Sequence, residues 1–208
     1  MRKKIIGLKW LIVIWLINFI SLYTTYSRGA LIAFLVAVPF IFFLKNTKKF
    51  FIAGIIALLI LVAGYLEPSL KIVRLGSDKE RFAQWQTAIY AFRERPILGQ
   101  GYLNFEKMCP SLKIKYDVGE KQFCGHAHNN FLEMFASTGF FGGIFFIFWI
   151  GLWGYEMYKR NDLIAEVTIP LIVVFIVGGM TQATFTLGAN LFFIMSFYSI
   201  SLVKMQEV

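Results

Sequence analysis

Charged residues are scarce in this sequence, and that scarcity excludes most soluble folds. Asp, Glu, Lys and Arg make up 16% of the 208 residues, whereas hydrophobic residues make up 58%. An ordinary soluble domain has roughly a quarter of its residues charged, so this chain departs strongly from that class. The mean hydropathy of +0.64 points in the same direction. The composition therefore predicts an all-α integral membrane protein with several spans.

Six apolar runs alternate with short basic loops. The runs are residues 10–26, 29–44, 50–66, 130–158, 163–180 and 187–203. Each approaches the roughly 20 residues that a helix needs to cross a bilayer, and the first run lacks the small-residue cleavage site of a signal peptide. Lys and Arg precede the first run and follow the second, fourth and sixth. Because short basic loops stay in the cytoplasm, the sequence predicts six transmembrane helices with both termini inside.

This topology divides the chain into three regions. Residues 1–66 and 129–208 would each hold three spans, and residues 67–128 would form one long extracytoplasmic loop. Loops of that length translocate largely regardless of their charge. The net charge of +9 does not indicate a nucleic-acid partner, because the basic residues lie in short loops or in this long one.

Cysteine is almost absent, and both copies lie in the long loop. They are Cys109 and Cys124. An isolated pair in an extracytoplasmic loop favours a disulfide. The alternative is a metal site that adds His126 and His128, but this ligand spacing matches no compact zinc pattern.

The long loop contains one predicted helix. Ser77 and Glu80 form a capping box that predicts its start, and Pro96 predicts its end near Arg95. At 100° per residue one stripe of this helix holds Arg81, Gln84, Ala88 and Arg95, and the adjoining stripe holds Phe82, Trp85 and Ile89. The pattern is typical of an amphipathic helix that lies on the membrane surface or on the spans, with its arginines facing a groove.

The segment His126–Asn130 follows the loop and opens an apolar run. An imidazole titrates near neutral pH, with an unperturbed pKa of about 6.5, and a polar group at a membrane boundary is costly unless it is solvated, paired or used. His128 recurs at helical spacing with Gly139 and Gly142, which places it near the packed side of its helix. Gly139 and Gly143 form a small-xxx-small pair that predicts close approach of another helix. His128 is therefore a candidate reactive residue, with a hydrogen-bonded structural histidine as the alternative.

Four segments of the chain stand in a distinctive order and spacing. They are Ser27-Arg28-Gly29-Ala30, Arg81 with Trp85, Arg95-Pro96-Ile97-Leu98-Gly99-Gln100-Gly101, and His128-Asn129 followed by Gly139 and Gly142. Together they resemble the O-antigen ligase and polymerase superfamily of bacterial membrane glycosyltransferases. The resemblance covers residues 27–143, and its most specific part is the His-Asn segment with the trailing glycines. Family members are usually longer, so the resemblance implies that this chain corresponds to their C-terminal half.

The resemblance implies a reaction and its participants. The donor would be a glycan on a polyprenyl diphosphate such as undecaprenyl diphosphate, and the acceptor would be lipid A-core in lipopolysaccharide biosynthesis. Transfer would occur with inversion at the periplasmic face of the cytoplasmic membrane. His128 would be the general base, and Arg28 and Arg81 would bind the diphosphate. Further substrate contacts would come from Gln84, Arg95 and Asn129.

The same residues leave several alternatives open. No acidic cluster suited to Mg²⁺ stands out, so we expect a reaction without a metal or other cofactor. A polysaccharide polymerase and a protein O-oligosaccharyltransferase of the same family differ only in acceptor. A transporter of lipid-linked sugars needs a polar path through the spans, where polar residues are few, and a structural membrane subunit needs no site. Arg28 at a membrane interface, Arg81 on a solvated face and Arg95 at a helix C-terminus also have purely structural interpretations.

Overall fold

All regular elements in the described part of the chain are helical. The structure, a computed structural model, describes residues 8–25, 27–66, 75–119, 124–160, 162–186 and 188–203. The α-helices are α1 (Leu8–Thr24), α2 (Arg28–Ala37), α3 (Thr47–Leu66), α4 (Leu75–Glu94), α5 (Phe105–Tyr116), α6 (Asn130–Arg160), α7 (Leu163–Gly179) and α8 (Gly188–Leu202). Short 3₁₀ segments are Val38–Phe42 and Thr184–Thr186. The all-α prediction is confirmed for these residues.

The six apolar runs are helical but differ in length. Two helices, α3 and α6, are long and apolar enough to cross a membrane, with mean hydropathies of 2.4 and 1.8. The 20 residues of α3 extend about 30 Å at 1.5 Å per residue, which equals the hydrocarbon thickness of a bilayer. The other four helices are shorter. The total of six spans stays a prediction, and some of the basic residues that predict its orientation, those of 1–7 and 204–208, lie outside the described residues.

The surface of α3 is apolar on nearly every side. Ala57 is its only residue that is buried, whereas Phe51, Leu59 and Leu66 are exposed. A helix that is hydrophobic all round is stable only inside a large core or in lipid. Since no large core covers this helix among the described residues, its surface is suited to contact with lipid.

Two apolar cores join the helices. The larger core lies between α6, α7 and α8 and contains Phe146, Trp153 and Phe175. The smaller core lies between α4, α5 and the start of α6 and contains Phe105 and Ala136. Helix α2 makes its most extensive contact with α7, and Gly29 in its first turn lies against Thr181, just after the end of α7. The fold therefore brings four chain segments together at one end: the starts of α2, α4 and α6 and the end of α7.

The helix in the long loop begins earlier than its capping box predicts. α4 starts at Leu75, so Ser77 is the third helical residue and not the N-cap, whereas the end at Glu94 agrees with the prediction. The carboxylate of Glu80 lies 3.3 Å from the ammonium of Lys113 in α5. Lys113 is fully buried. A buried ammonium needs an anionic partner. Glu80 is that partner for Lys113, so its carboxylate is not used for a capping box at Ser77.

The buried face of α4 differs from the face that its sequence pattern favours. The buried residues are Ala83, Gln84, Thr87, Ala88 and Ala91. The bulky Phe82 and Ile89 are exposed, although they belong to the apolar stripe. Small side chains allow α4 to approach α5 and α6 closely, so the helix packs through them and directs its large apolar residues outward.

The turn that follows α4 is hydrogen-bonded to α6. The amides of Gln100 and Gly101 donate to the carbonyl oxygens of Ala136 and Ser137 at 2.9 and 2.8 Å. A further bond of 2.7 Å runs from the amide of Phe140 to the carbonyl oxygen of Pro96. The backbone amides of the Gly-x-Gly turn are therefore used within the fold.

A break inside α6 makes these bonds possible. Gly139 has φ 70° and ψ −165°, which interrupts the helix, and frees carbonyl groups in the turn before it. A Cβ atom at Gly139 would overlap the backbone of Ile97, and one at Gly143 would overlap the ring of Phe135 in the same helix. The small-xxx-small pattern predicted that another helix approaches these glycines, and that prediction was wrong. Gly139 and Gly143 accommodate a break in α6 and the turn after α4.

Candidate functional site

His128 precedes α6 in a backbone conformation that side chains rarely adopt. Its φ is 49°, in the left-handed region, which is uncommon for residues other than glycine and is found at functional sites. The Nδ1 atom lies 2.8 Å from Oε1 of Gln182 in the turn after α7. An amide oxygen only accepts hydrogen bonds, so the tautomer that fits this contact carries its proton on Nδ1 and keeps the lone pair on Nε2. This arrangement leaves one nitrogen of a half-buried imidazole able to accept a proton.

The surroundings of His128 favour its neutral form. Burial lowers the pKa of the imidazole most, the hydrogen bond to Oε1 of Gln182 opposes that change, and the nearby His126 and Arg81 lower the pKa further. The net direction is below the ordinary value of histidine. A neutral imidazole can act as a base whereas an imidazolium cannot, so His128 is suited to general-base chemistry near neutral pH.

Glu133 holds the backbone between the two histidines. This residue is 3% exposed. Its Oε2 accepts the amide of Ala127 at 2.7 Å, and its Oε1 accepts the hydroxyl of Ser137 at 3.3 Å. The ring centroids of His126 and His128 are 4.2 Å apart. The structure therefore brings both Glu133 and His126 close to His128.

Asn129 caps the N-terminus of α6. Its Oδ1 accepts the amides of Phe131 and Leu132 at 2.9 and 3.1 Å, and its Nδ2 donates to the carbonyl oxygen of Met180 at 3.3 Å. Two orphan amides of the helix are thereby satisfied, as in other N-caps. Asn129 lies next to His128, where the sequence placed it as a substrate contact. In the structure both of its polar side-chain atoms make hydrogen bonds within the protein.

The predicted diphosphate ligands lie at the same end of the fold. Arg28 begins α2, and its two terminal nitrogens lie 2.8 and 3.3 Å from the carboxylate oxygens of Asp78 in α4. Asp78 is one helical turn from Arg81. Arg81 in turn is close enough to His128 to lower its pKa. Arg28, Asp78, Arg81 and His128 therefore lie at the same end of the fold, and the sequence analysis did not include Asp78 among the site residues.

Two other predicted contacts are placed differently. Gln84 is fully buried, and neither polar atom of its side chain has a hydrogen-bond partner among the residues that the structure describes. Arg95 is exposed beyond the last turn of α4. The 14 residues that separate Arg95 from Arg81 correspond to about 20 Å of helix. The structure therefore does not bring Arg95 to the Arg81 end of the site, because Arg81 lies near the start of α4 and Arg95 follows its last residue.

A disulfide joins α5 to the segment that leads into His126. Its partners are Cys109 and Cys124, whose Cα atoms are 5.8 Å apart. Cys109 is fully buried in the smaller core. The alternative metal site needs these two sulfurs as separate thiolates, whereas the structure joins them to each other. The bond ties the histidine segment to α5 across residues 120–123, which lie outside the described part.

Replacing both cysteines with serine should lower the free energy of unfolding by about 3 kcal/mol, the estimate for a loop of this length. The physical reason is that the denatured chain regains the freedom that the cross-link removes. Thermal unfolding of the purified protein with and without reductant measures this effect. Reductant should destabilise the original protein and leave the double variant unchanged. Equal melting temperatures for all four samples would contradict the prediction.

An apolar cleft is lined in part by Gln182, the residue that contacts His128. Its volume is about 390 Å³. Apolar walls come from α1, α2, α7 and α8, and include Phe34, Leu171 and Ile194. Polar groups also line it, among them Ser27 next to Arg28, and Gln182 next to His128. A ligand with a long apolar chain and a polar end could lie along these walls.

Comparison with known proteins identifies one related family. A family model described as O-antigen ligase matches residues 11–147, which is more than half of the chain. The matched interval contains Arg28, Arg81 and His128 and ends before Gln182. No curated protein and no solved structure matched the chain.

Proposed function

The chain belongs to the O-antigen ligase family, and from that premise we propose that it transfers a glycan from a polyprenyl diphosphate to an acceptor hydroxyl. Membership of this family implies membrane-bound glycosyl transfer in general. The observation that carries the finer proposal is the convergence of Arg28, Arg81 and His128 from three separate segments on one end of the fold. We place this end at the periplasmic face of the bacterial cytoplasmic membrane, with six spans and both termini in the cytoplasm.

The proposed step is a direct displacement at the anomeric carbon of the donor. The acceptor oxygen forms a bond to that carbon while Nε2 of His128 removes the hydroxyl proton. The bond from the carbon to the phosphate oxygen breaks, and the leaving polyprenyl diphosphate keeps the electron pair. Because attack occurs opposite the leaving group, the anomeric configuration inverts. Base catalysis of this kind typically contributes about 10²- to 10⁴-fold to the rate.

Arg28 and Arg81 are proposed to hold the diphosphate. A guanidinium group has a fixed positive charge and a planar set of donors that matches phosphate oxygens. Asp78 orients the guanidinium of Arg28 through two contacts. Negative charge accumulates on the leaving oxygen in the transition state, and preorganised cations stabilise it without reorganisation. These residues are thus expected to act on both donor affinity and rate.

The apolar cleft is proposed to receive the polyprenyl chain of the donor. Its apolar walls match a hydrocarbon chain, and burial of apolar surface is favourable in proportion to area. Ser27 and Gln182 line the same cleft, and their neighbours are Arg28 and His128. A donor with its chain in the cleft would therefore place its diphosphate near the cations and its sugar near the base.

Lipid A-core is the acceptor that we propose. A growing glycan would make the protein a polymerase, and a protein hydroxyl would make it an O-oligosaccharyltransferase. All three acceptors present a hydroxyl to the same base, so the residues of the site are equally compatible with each. The acceptor is decided by supplying each of them to membranes that contain the protein and a lipid-linked donor.

Alanine at Arg28 or Arg81 should lower glycan transfer by about 10²- to 10³-fold, the usual cost of removing one charge-stabilising donor. The measurement is transfer of glycan to lipid A-core in membranes from cells that lack their own ligase. Arg93→Ala is the matched control, because Arg93 is an exposed arginine of the same helix α4 as Arg81. It should keep near-normal transfer at equal expression. Equal activity of all three variants would contradict the assignment of the diphosphate site.

A further inference from the structure

We infer that Gln182 is a positioning residue that keeps the proton of His128 on Nδ1 and presents Nε2 to the acceptor. The inference rests on the proposed role of His128 as the base. Gln182 lies beyond the interval matched by the family model and 54 residues from His128 in sequence, yet the two side chains meet at 2.8 Å. Neutral imidazole exists as two tautomers, and the partner of one nitrogen decides which of them is present.

The turn that contains Gln182 is held in place from two sides. The amide of Gln182 donates to the carbonyl oxygen of Gly178 at 3.0 Å, and the Thr181 hydroxyl donates to the same oxygen at 3.1 Å. Thr181 packs directly against Gly29 of α2, where a Cβ atom would overlap its side chain. Gly29 adjoins Arg28. The turn that holds Gln182 and the start of α2 at Arg28 are therefore packed against each other.

A second anchor joins this turn to the histidine segment. Nδ2 of Asn130 donates to the hydroxyl of Thr184 at 2.9 Å, and its Oδ1 accepts the amide of Phe185 at 2.9 Å. Asn130 is 1% exposed, so both bonds are shielded from water. The rotation of the imidazole is consequently limited by a partner that cannot move freely, which is what orientation of a base requires.

The chemistry of glutamine suits this role better than that of a carboxylate. A neutral amide oxygen fixes the tautomer and adds no full charge to the neighbourhood. A glutamate at the same position would favour the imidazolium and raise the pKa of His128. A leucine would remove the hydrogen bond, which at present opposes the effect of burial, so the pKa would fall. The two substitutions are therefore expected to change the pKa of His128 in opposite directions.

Nitrogen-15 NMR of histidine-labelled protein in lipid nanodiscs tests the inference directly. The chain has only two histidines, so a His126→Gln sample assigns the signals. We expect the Nδ1-protonated tautomer for His128 in the original protein and a mixture of tautomers in Gln182→Leu. In Gln182→Glu, which preserves side-chain shape, the pKa of His128 should rise. An Nε2-protonated tautomer in the original protein, or a His128 pKa that Gln182→Glu leaves unchanged, would overturn the inference.

The pH dependence of glycan transfer gives the second readout. Gln182→Glu should move the acidic limb of the rate profile to higher pH, and Gln182→Leu should lower kcat by about 10- to 100-fold, as expected for loss of a partner that orients a functional histidine. Gln86→Glu and Gln86→Leu are matched controls, because Gln86 is an exposed glutamine on α4. Both controls should leave the profile unchanged. A purely structural role would lower transfer in the Gln182 variants without moving the acidic limb, and that result would refute the inference.

These measurements separate the inference from the proposed function. If the protein transfers no glycan under any condition, the function fails while the NMR signals still report whether Gln182 sets the tautomer. If transfer is normal and the tautomer of His128 does not respond to Gln182 substitutions, the inference fails and the function stands.

Discussion

Alanine in place of His128 should lower glycan transfer by about 10²- to 10⁴-fold, the contribution expected of a general base. The variant removes the imidazole that contacts Gln182 through Nδ1 and whose pKa is lowered by burial. Transfer to lipid A-core in membranes from ligase-deficient cells measures the effect. Expression is matched by immunoblot, and folding is checked by size-exclusion chromatography in detergent.

His126→Ala is the paired comparison for this experiment. Its ring packs on that of His128 at 4.2 Å, and it makes no described hydrogen bond to the site. We expect its transfer rate to fall by less than about tenfold, since orientation and not proton transfer is affected. Equal losses in the two variants, or full activity of His128→Ala, would show that His128 is not the base.

The same assignment fixes the direction of the pH effect. A base must be deprotonated to accept a proton, so the transfer rate should fall as the pH drops through the pKa of His128. Burial places that pKa below the ordinary value, so activity should persist at pH values where a solvent-exposed histidine would already be charged. Arg81→Ala removes a positive charge that lowers the pKa of His128, so this pKa should rise. As the pH is lowered, the remaining activity of the variant should therefore be lost at a higher pH than that of the original protein.

Gly139→Ala should cost about 1 to 3 kcal/mol of stability from backbone conformation alone, because its φ and ψ belong to a region that only glycine adopts readily. The added methyl group would also overlap the carbonyl oxygen of Ile97. Separation of α6 from the turn would then expose the bond partners of Gln100 and Gly101. We expect a much lower melting temperature and little folded protein, measured by thermal unfolding in detergent.

Gly151→Ala is the control, because it lies in the same helix and a Cβ atom there meets nothing within 4 Å. Alanine in a helix interior is favoured over glycine by about 0.5 to 1 kcal/mol. Its stability should therefore be unchanged or slightly higher. Similar melting temperatures for the two variants would show that the break at Gly139 does not hold the turn to α6.

Helix position was the part of the fold that followed most directly from sequence. Each apolar run coincides with a helix to within a few residues, and the end of α4 near Pro96 was predicted correctly. Apolar periodicity and proline act locally, so they are visible in one chain segment at a time. The capping box at Ser77 failed because Glu80 pairs with a lysine 33 residues away, and no local pattern contains that information.

The glycines of residues 139–143 also show that a local pattern can be misleading. Their spacing in 139–143 fits a helix-packing motif, yet the structure uses Gly139 to break a helix and admit a turn from residues 96–101. The local sequence cannot distinguish these uses, since both need the absence of a side chain. The two uses differ only in whether a second helix or the turn of residues 96–101 approaches the glycine.

The sequence by itself determined the membrane class, the helical content, the family resemblance and the residue types of the site. These depend on composition, on periodicity and on short motifs that contain His128, Arg28 and Arg81. The tertiary structure alone decided which of these residues meet: it paired Arg28 with Asp78, set Gln182 against His128, enclosed Gln84 and left Arg95 at the far end of α4. The reason is that these contacts join segments about 50 residues apart, and their geometry depends on how whole helices pack.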